Sequence, residues 1–145
     1  MTALASDPPV LDLQAIKSPL AELVEAHGTR FILATFVDMN GKPCAKLVPV
    51  SALAELEAGK LGFAGYAAGL VGQKPQDGDL CAVPDASSFT PLDAVRPGLA
   101  LVHCDPHVDG KPWPYAPRVI LKSALARLAQ KAMTAKAGAE VEYFL

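Results

Sequence analysis

Phe31 to Val37 is an unbroken run of apolar and β-branched residues, and Asn40-Gly41 follows it at turn distance. Asn-Gly accepts the positive φ that a tight hairpin demands, so the run reads as a strand that turns back on itself. The returning strand covers about Lys42 to Val48. Cys44, Lys46 and Val48 share one of its faces, and Pro43 places its beginning at a sheet edge. A hairpin with one arm apolar throughout must be covered, so whatever surrounds it has to supply helices or further strands.

The flanking sequence supplies both. Ser18-Pro19 is a helix start, with Ser as N-cap and Pro at the first helical position. Leu20, Leu23, Val24 and His27 then fall on one helical face, and Gly28 is the stop. Ser51 is expected to cap a short helix through Leu53 and Leu56, ended by Gly59. Leu61 to Gly78 is glycine-rich and reads as loop. Strands are expected at Leu80–Val83, Ser87–Thr90 and Leu99–Cys104, with an irregular, proline-rich connection over Asp105–Pro117 pinned by Trp113 and Tyr115. Pro117 opens a helix with Leu121, Leu125, Leu128 and Ala132 on one face, broken by Gly138. Arg118, Lys122, Arg127 and Lys131 are left for solvent or anions. Glu140–Leu145 reads as a strand that stops without a turn, the beginning of something further along a longer chain. The fold class is α+β, a small mixed or antiparallel sheet with helices over one face.

Partner classes are narrowed by charge. The formal net charge of −2 offers no electrostatic footprint for nucleic acid or an anionic membrane. No apolar run approaches the ~20 residues that span a bilayer. Residues Met1 to Lys17 carry Pro8-Pro9, no clean period and no basic region, and read as a flexible leader rather than a secretory signal. Cys44, Cys81 and Cys104 are odd in number and form no CxxC, as expected of small apolar residues in a reducing cytoplasm.

Three places carry possible chemistry. Glu140 and Glu142, two apart on a strand, project to one face with Cα atoms about 7 Å apart. Such a pair suits hard divalent cations, Mg²⁺ or Mn²⁺, but E-x-E is very common and on spacing alone a solvated acidic face is the favoured reading. His103, Cys104, Asp105, His107 and Asp109 concentrate zinc-type ligands, but Pro106 breaks any helix that would align the two histidines, and a strand end followed by a turn is the simpler reading. Phe63-Ala64-Gly65-Tyr66-Ala67-Ala68-Gly69 has neither P-loop nor dinucleotide-loop context; a ligand contact, a subunit contact and plain flexibility all remain open.

Taken in order, the motifs resemble the glutamine synthetase family over roughly Phe31 to Leu145. They are Phe36-Val37-Asp38-Met39-Asn40-Gly41 with Lys46-Leu47-Val48-Pro49; Gly62-Phe63-Ala64-Gly65; Asp79-Leu80-Cys81-Ala82-Val83-Pro84-Asp85 with Cys104-Asp105; and Pro117-Arg118 leading to Gly138-Ala139-Glu140-Val141-Glu142-Tyr143-Phe144-Leu145. Gly62–Gly65 with His107-Val108-Asp109-Gly110-Lys111-Pro112 is similar to the type III-like branch, which includes γ-glutamylmethylamide synthetases.

The resemblance implies a β-grasp-like N-terminal domain over 18–112 and the start of a catalytic domain over 113–145. It implies an ATP-dependent glutamate–ammonia or glutamate–amine ligase of nitrogen metabolism, acting through a γ-glutamyl phosphate in the cytoplasm as a homo-oligomeric ring. It also implies Mg²⁺ or Mn²⁺, with Glu140 serving the ATP-side ion and Glu142 the glutamate-side ion, and Ala64, Gly65 and Tyr66 in the substrate loop. No catalytic residue is secured in this stretch, which is expected to be inactive alone. One departure stands out. The ammonia-using loop pattern is Phe-Asp-Gly-Ser-Ser, and Ala64 replaces its carboxylate, which points to a substituted amine or to another source of charge. The competing expectations are an inactive, glutamine-synthetase-like binding or regulatory module and a stand-alone β-grasp interaction domain.

Overall fold

The computed structural model describes residues 18–65 and 74–144. The leader at 1–17 and Tyr66 lie outside them. Ser18 accepts a hydrogen bond from the Ala21 N–H at 3.0 Å and so caps α1 (Pro19–Ala26), whose Leu20, Ala21 and Val24 are buried. Gly28, at φ +57°, closes the helix as expected. The chain then enters β1 (Phe31–Val37), turns, and returns as β2 (Pro43–Pro49). The turn is organised by Asp38. Its buried carboxylate accepts from the backbone N–H groups of Asn40 at 2.8 Å and Lys42 at 2.9 Å, while Gly41 takes φ +80°.

A mixed sheet is built around β1 and β6 (Leu99–Val108), in the order β2-β1-β6-β4-β3. β1 pairs antiparallel with β2 and parallel with β6. Beyond His103, β6 changes partners and pairs antiparallel with β4 (Leu80–Pro84), which in turn pairs with β3 (Gly62–Phe63). Two short strands, β5 (Thr90–Pro91) and β7 (Lys111–Pro112), complete the pairing on β6. The α+β reading is therefore correct. The sheet also curls, because Lys46 on β2 donates to the Gly62 carbonyl on β3, although the two strands stand at opposite ends of the strand order.

Two buried clusters hold the layers. One joins Leu20 and Val24 of α1 and Leu53 and Leu56 of α2 (Leu53–Glu57) to Ile32, Ala34, Val48, Ala82 and Val102. The other gathers Phe36, Leu80, Trp113 and Ala116, with Val119 against it. Fully burying a side chain the size of Leu or Phe contributes about 1.5–3 kcal/mol, so these apolar stripes are what fix the helices to the sheet.

Several expectations are corrected. Ser51 lies inside a 3₁₀ turn, Val50–Ala52, and α2 has no side-chain cap. Ser87–Thr90 is mostly not strand. Asp85 accepts from the Ser87 N–H at 3.1 Å and stabilises a 3₁₀ turn over Ala86–Ser88, leaving only Thr90–Pro91 extended. The connection after Asp105 is not irregular either. β6 runs on to Val108 through Pro106, then turns at Asp109-Gly110, which take φ 50° and 72°. Pro106 is tolerated because the β1 ladder has already ended at His103, so its missing N–H costs that ladder no bond. The last helix, α3 (Pro117–Ala129), is shorter than expected: Ala132 turns left-handed at φ 54°, and no residue of α3 is buried to support further turns. Residues 134–144 form no strand. A strand needs a ladder partner, and among the described residues Glu140–Phe144 has none.

Candidate functional site

The glycine-rich loop leaves the sheet from a built base. β3 places Phe63 edge-on to buried Phe36, with centroids 4.9 Å apart at 85°. The Lys46 ammonium lies over the Phe63 ring, 4.8 Å from its centroid. A methyl group at Gly62 would stand 2.8 Å from an Asp79 carboxylate oxygen, so glycine is what lets β3 approach the strand entry to β4. Beyond this base Ala64 is exposed and Gly65 is buried. Residues 62–65 carry no carboxylate of their own; Asp79 stands against Gly62, and Asp77 accepts from the Lys74 N–H at 2.7 Å in the returning part of the loop.

Glu140 and Glu142 are both exposed in the extended tail after α3, with no ladder to hold them on one face. Their carboxylates are hard oxygen donors, the chemistry that Mg²⁺ or Mn²⁺ takes. Among the described residues no three His, Cys, Asp or Glu side chains converge well enough to hold a metal ion. That finding includes the zinc-type group on β6. The strand's alternation puts His103, Asp105 and His107 on one side and buried Cys104 on the other, and Asp105 is committed elsewhere. The His107 Nδ1 shares a hydrogen bond of 3.0 Å with the Asp105 carbonyl.

What the sequence reading missed is an ion clasp between α3 and the sheet. Arg118 bridges Asp85 and, from Nε at 2.9 Å, Asp105. One turn on, Lys122 bridges the same two carboxylates, at 2.8 Å from Asp85. These two cations were expected to be free for solvent or anions; they are instead the groups that hold α3. Their i, i+4 spacing was the available signal, since it puts them on one helical face opposite Asp85 and Asp105. Hydrogen bonds from Lys122 and Ser87, with Arg118 adding to them, hold the Asp85 carboxyl well below the usual carboxylate range. Partial desolvation alone would lower the Lys122 pKa, but its hydrogen bonds to Asp105 and Asp85 carry it above its ordinary value.

Above this clasp α3 presents Ile120, Leu121 and Leu125 to solvent, each more than two-fifths exposed. An open groove of about 270 Å³ runs along the helix between Pro112, Pro114, Val119, Ile120 and Arg127. The three cysteines are free thiols; burial pushes Cys104 up to about 12 and raises Cys44.

No protein-family model matches the chain. Individual relatives do. Glutamine synthetase of Rhizobium meliloti (strain 1021) is 36% identical over 126 residues, which is 87% of this chain and 28% of that protein. Glutamate–methylamine ligase of Methyloversatilis universalis is 36% identical over 129 residues, 88% of this chain and 29% of that protein. Among solved structures, the GmaS/ADP complex superposes with a TM-score of 0.71 at 42% identity, covering 77% of this chain and 26% of that one. The chain is a glutamine synthetase-family homologue. It spans under a third of the length of these family members, and its mixed sheet with helices matches the corresponding region of GmaS. Among the described residues no helix is long and apolar enough to cross a membrane.

Proposed function

We propose that the full-length protein containing this region is an ATP-dependent glutamate–ammonia or glutamate–amine ligase. The observation that carries the reading is similarity to both a glutamine synthetase and a glutamate–methylamine ligase over nearly nine-tenths of the chain. A carboxylate is a poor electrophile until a good leaving group is attached. In this reading ATP phosphorylates the γ-carboxylate of glutamate to an acyl phosphate, and the amine displaces phosphate.

Residues 18–112 form the β-grasp-like N-terminal domain, and residues 113–145 begin the catalytic domain. The exposed apolar side of α3 supports that division, because a helix with no buried residue is short of a covering layer. Glu140 and Glu142 would hold the divalent ions, Glu140 on the ATP side and Glu142 on the glutamate side. Their free, exposed carboxylates fit that role chemically, and the third ligands would come from outside the described residues. An Mg²⁺ or Mn²⁺ ion held there would supply positive charge to neutralise phosphate. The protein works in the cytoplasm as a homo-oligomeric ring, and this stretch alone is inactive.

Ala64 decides the finer assignment. Without a carboxylate at position 64 to attract ammonium, a substituted amine such as methylamine is the preferred acceptor. Steady-state assay of the full-length protein across an amine series tests this, and clear preference for ammonia over every alkylamine overturns it. The same missing carboxylate favours one other reading, an inactive binding module, for which ATP turnover with glutamate and every amine tried would be nil.

A further inference from the structure

Cys81 stands in a row of paired residues across the sheet. On one side it faces Gly62 of β3, which has no side chain, and on the other His107 of β6. Cross-strand neighbours have Cβ atoms about 4.5–5.5 Å apart, so thiol and imidazole are adjacent. Both line an open cavity of about 250 Å³, which Glu57 and Gly59 at the end of α2, and Gly110 after β6, also bound. Of the other free thiols, Cys104 is buried and Cys44 packs against the cluster of Phe36 and Leu80.

The chemistry of the cavity wall is one-sided. His107 Nδ1 lies 3.0 Å from the Asp105 carbonyl. A carbonyl only accepts, so Nδ1 carries the proton, and Nε2 of the neutral ring keeps its lone pair. Glu57 accepts from the Ser18 hydroxyl at 2.6 Å through Oε1 alone, and its negative charge remains. A second carboxylate, Asp79, stands against Gly62. Among the described residues that bound the cavity there is no Lys or Arg. Acceptors around a thiol, with no resident cation, favour a ligand that carries positive charge and donates hydrogen bonds.

We propose that this cavity is a modification site, where Cys81 takes an aminothiol from a low-molecular-weight disulfide and Glu57 and His107 hold the aminothiol's ammonium. The Cys81 thiolate attacks one sulfur of the disulfide. The new Sγ–S bond forms as the old S–S bond breaks, and the departing thiolate takes up a proton in place of the one Cys81 released. The incoming disulfide is itself the oxidant, so Cys81 is oxidised as the departing half is reduced. In the adduct the ammonium donates to the Glu57 carboxylate and to His107 Nε2, the acceptors the wall supplies.

The test treats the full-length protein with cationic cystamine, neutral bis(hydroxyethyl) disulfide or anionic dithiodipropionate, and maps the adducts by peptide mass spectrometry. Each rate is divided by that of the same cysteine in urea-unfolded protein, which cancels the intrinsic reactivity of the disulfides. At Cys81 the normalised rate for cystamine should exceed that of the neutral probe roughly fivefold, as one opposite charge at contact implies in a water-like dielectric. Dithiodipropionate should trail both, and Cys44 should show no such order. Glu57→Gln, which keeps an acceptor for Ser18, should bring cystamine down to the neutral probe. Should that variant fail to fold, raising sodium chloride in wild type should shrink the preference by screening. His107→Phe, which keeps a ring without the acceptor, should lose part of it. Equal normalised rates for cystamine and the neutral probe at Cys81 overturn the assignment. So does a preference that neither Glu57→Gln nor salt reduces.

Discussion

Replacing Asp105 by Asn tests whether α3 is held by charge rather than by apolar packing. Asp105 accepts from Arg118 Nε at 2.9 Å and from Lys122, and the substitution keeps the shape and one acceptor oxygen while deleting the charge. The side chains are 18% exposed for Asp105, 30% for Arg118 and 44% for Lys122, so the pairs lie between the surface and buried limits. Hydrogen bonds to charged groups contribute about 1.5–3 kcal/mol each against roughly 1 for neutral ones. Two such bonds weakened, with the Lys122 pair discounted for its exposure, come to a loss of about 1–2 kcal/mol. With a urea m-value of roughly 2 kcal/mol per molar, the midpoint falls by about 0.5–1 M. Trp113 fluorescence is a local probe, since the indole is buried in the cluster from which α3 emerges. Hydrogen exchange of the α3 amides should accelerate more than that of β1. A variant with an unchanged midpoint and unchanged α3 exchange would refute the clasp. Lowering the pH perturbs the same clasp through Asp85. Its folded pKa is depressed, so its stabilisation is complete above about pH 4, the unfolded carboxyl value, and is lost as pH falls further.

Three other outcomes follow from the fold. Asp38→Ala leaves the Asn40 and Lys42 N–H groups without their carboxylate acceptor in a buried turn and should cost about 1–3 kcal/mol in urea denaturation. Leu121→Ser, at a site 56% exposed here, should stay within about 0.5 kcal/mol in the isolated chain yet lower the melting temperature of the full-length protein, where a covering domain is proposed. Thiol labelling of the native chain near pH 8 should modify Cys44 and Cys81 well before Cys104, which is buried with its pKa pushed up to about 12. Because that folded value lies above the ordinary 9.0, the Cys104 contribution to stability is complete below pH 9.0 and is lost as pH rises from there toward 12.

Where structure is made by neighbours in sequence, it was legible. Ser18-Pro19, Asn40-Gly41 and the run from Phe31 to Val37 each act through their own backbone, and each forms what its residue types imply. Partner-dependent structure was not. Pro106 lies in a strand because β6 exchanges one neighbour for another, a fact about β1 and β4 rather than about proline. Ser87–Thr90 has strand composition, yet the Asp85 side chain captures its backbone in a turn. Glu140–Phe144 alternates like a strand and finds no partner among the described residues. The site divides the same way. Ala64 was visible as a missing carboxylate, whereas the reach of Lys46 across the sheet depends on curvature that no local pattern encodes.

The ligase proposed for the full-length protein activates glutamate with ATP for attack by an amine. ATP hydrolysis by the purified full-length protein tests it most directly, measured with glutamate, methylamine and Mg²⁺ together and with each left out in turn. Phosphate release should require all three and be matched by an equal amount of γ-glutamyl amide. Phosphate release indifferent to glutamate and to every amine, or none at all, would contradict it.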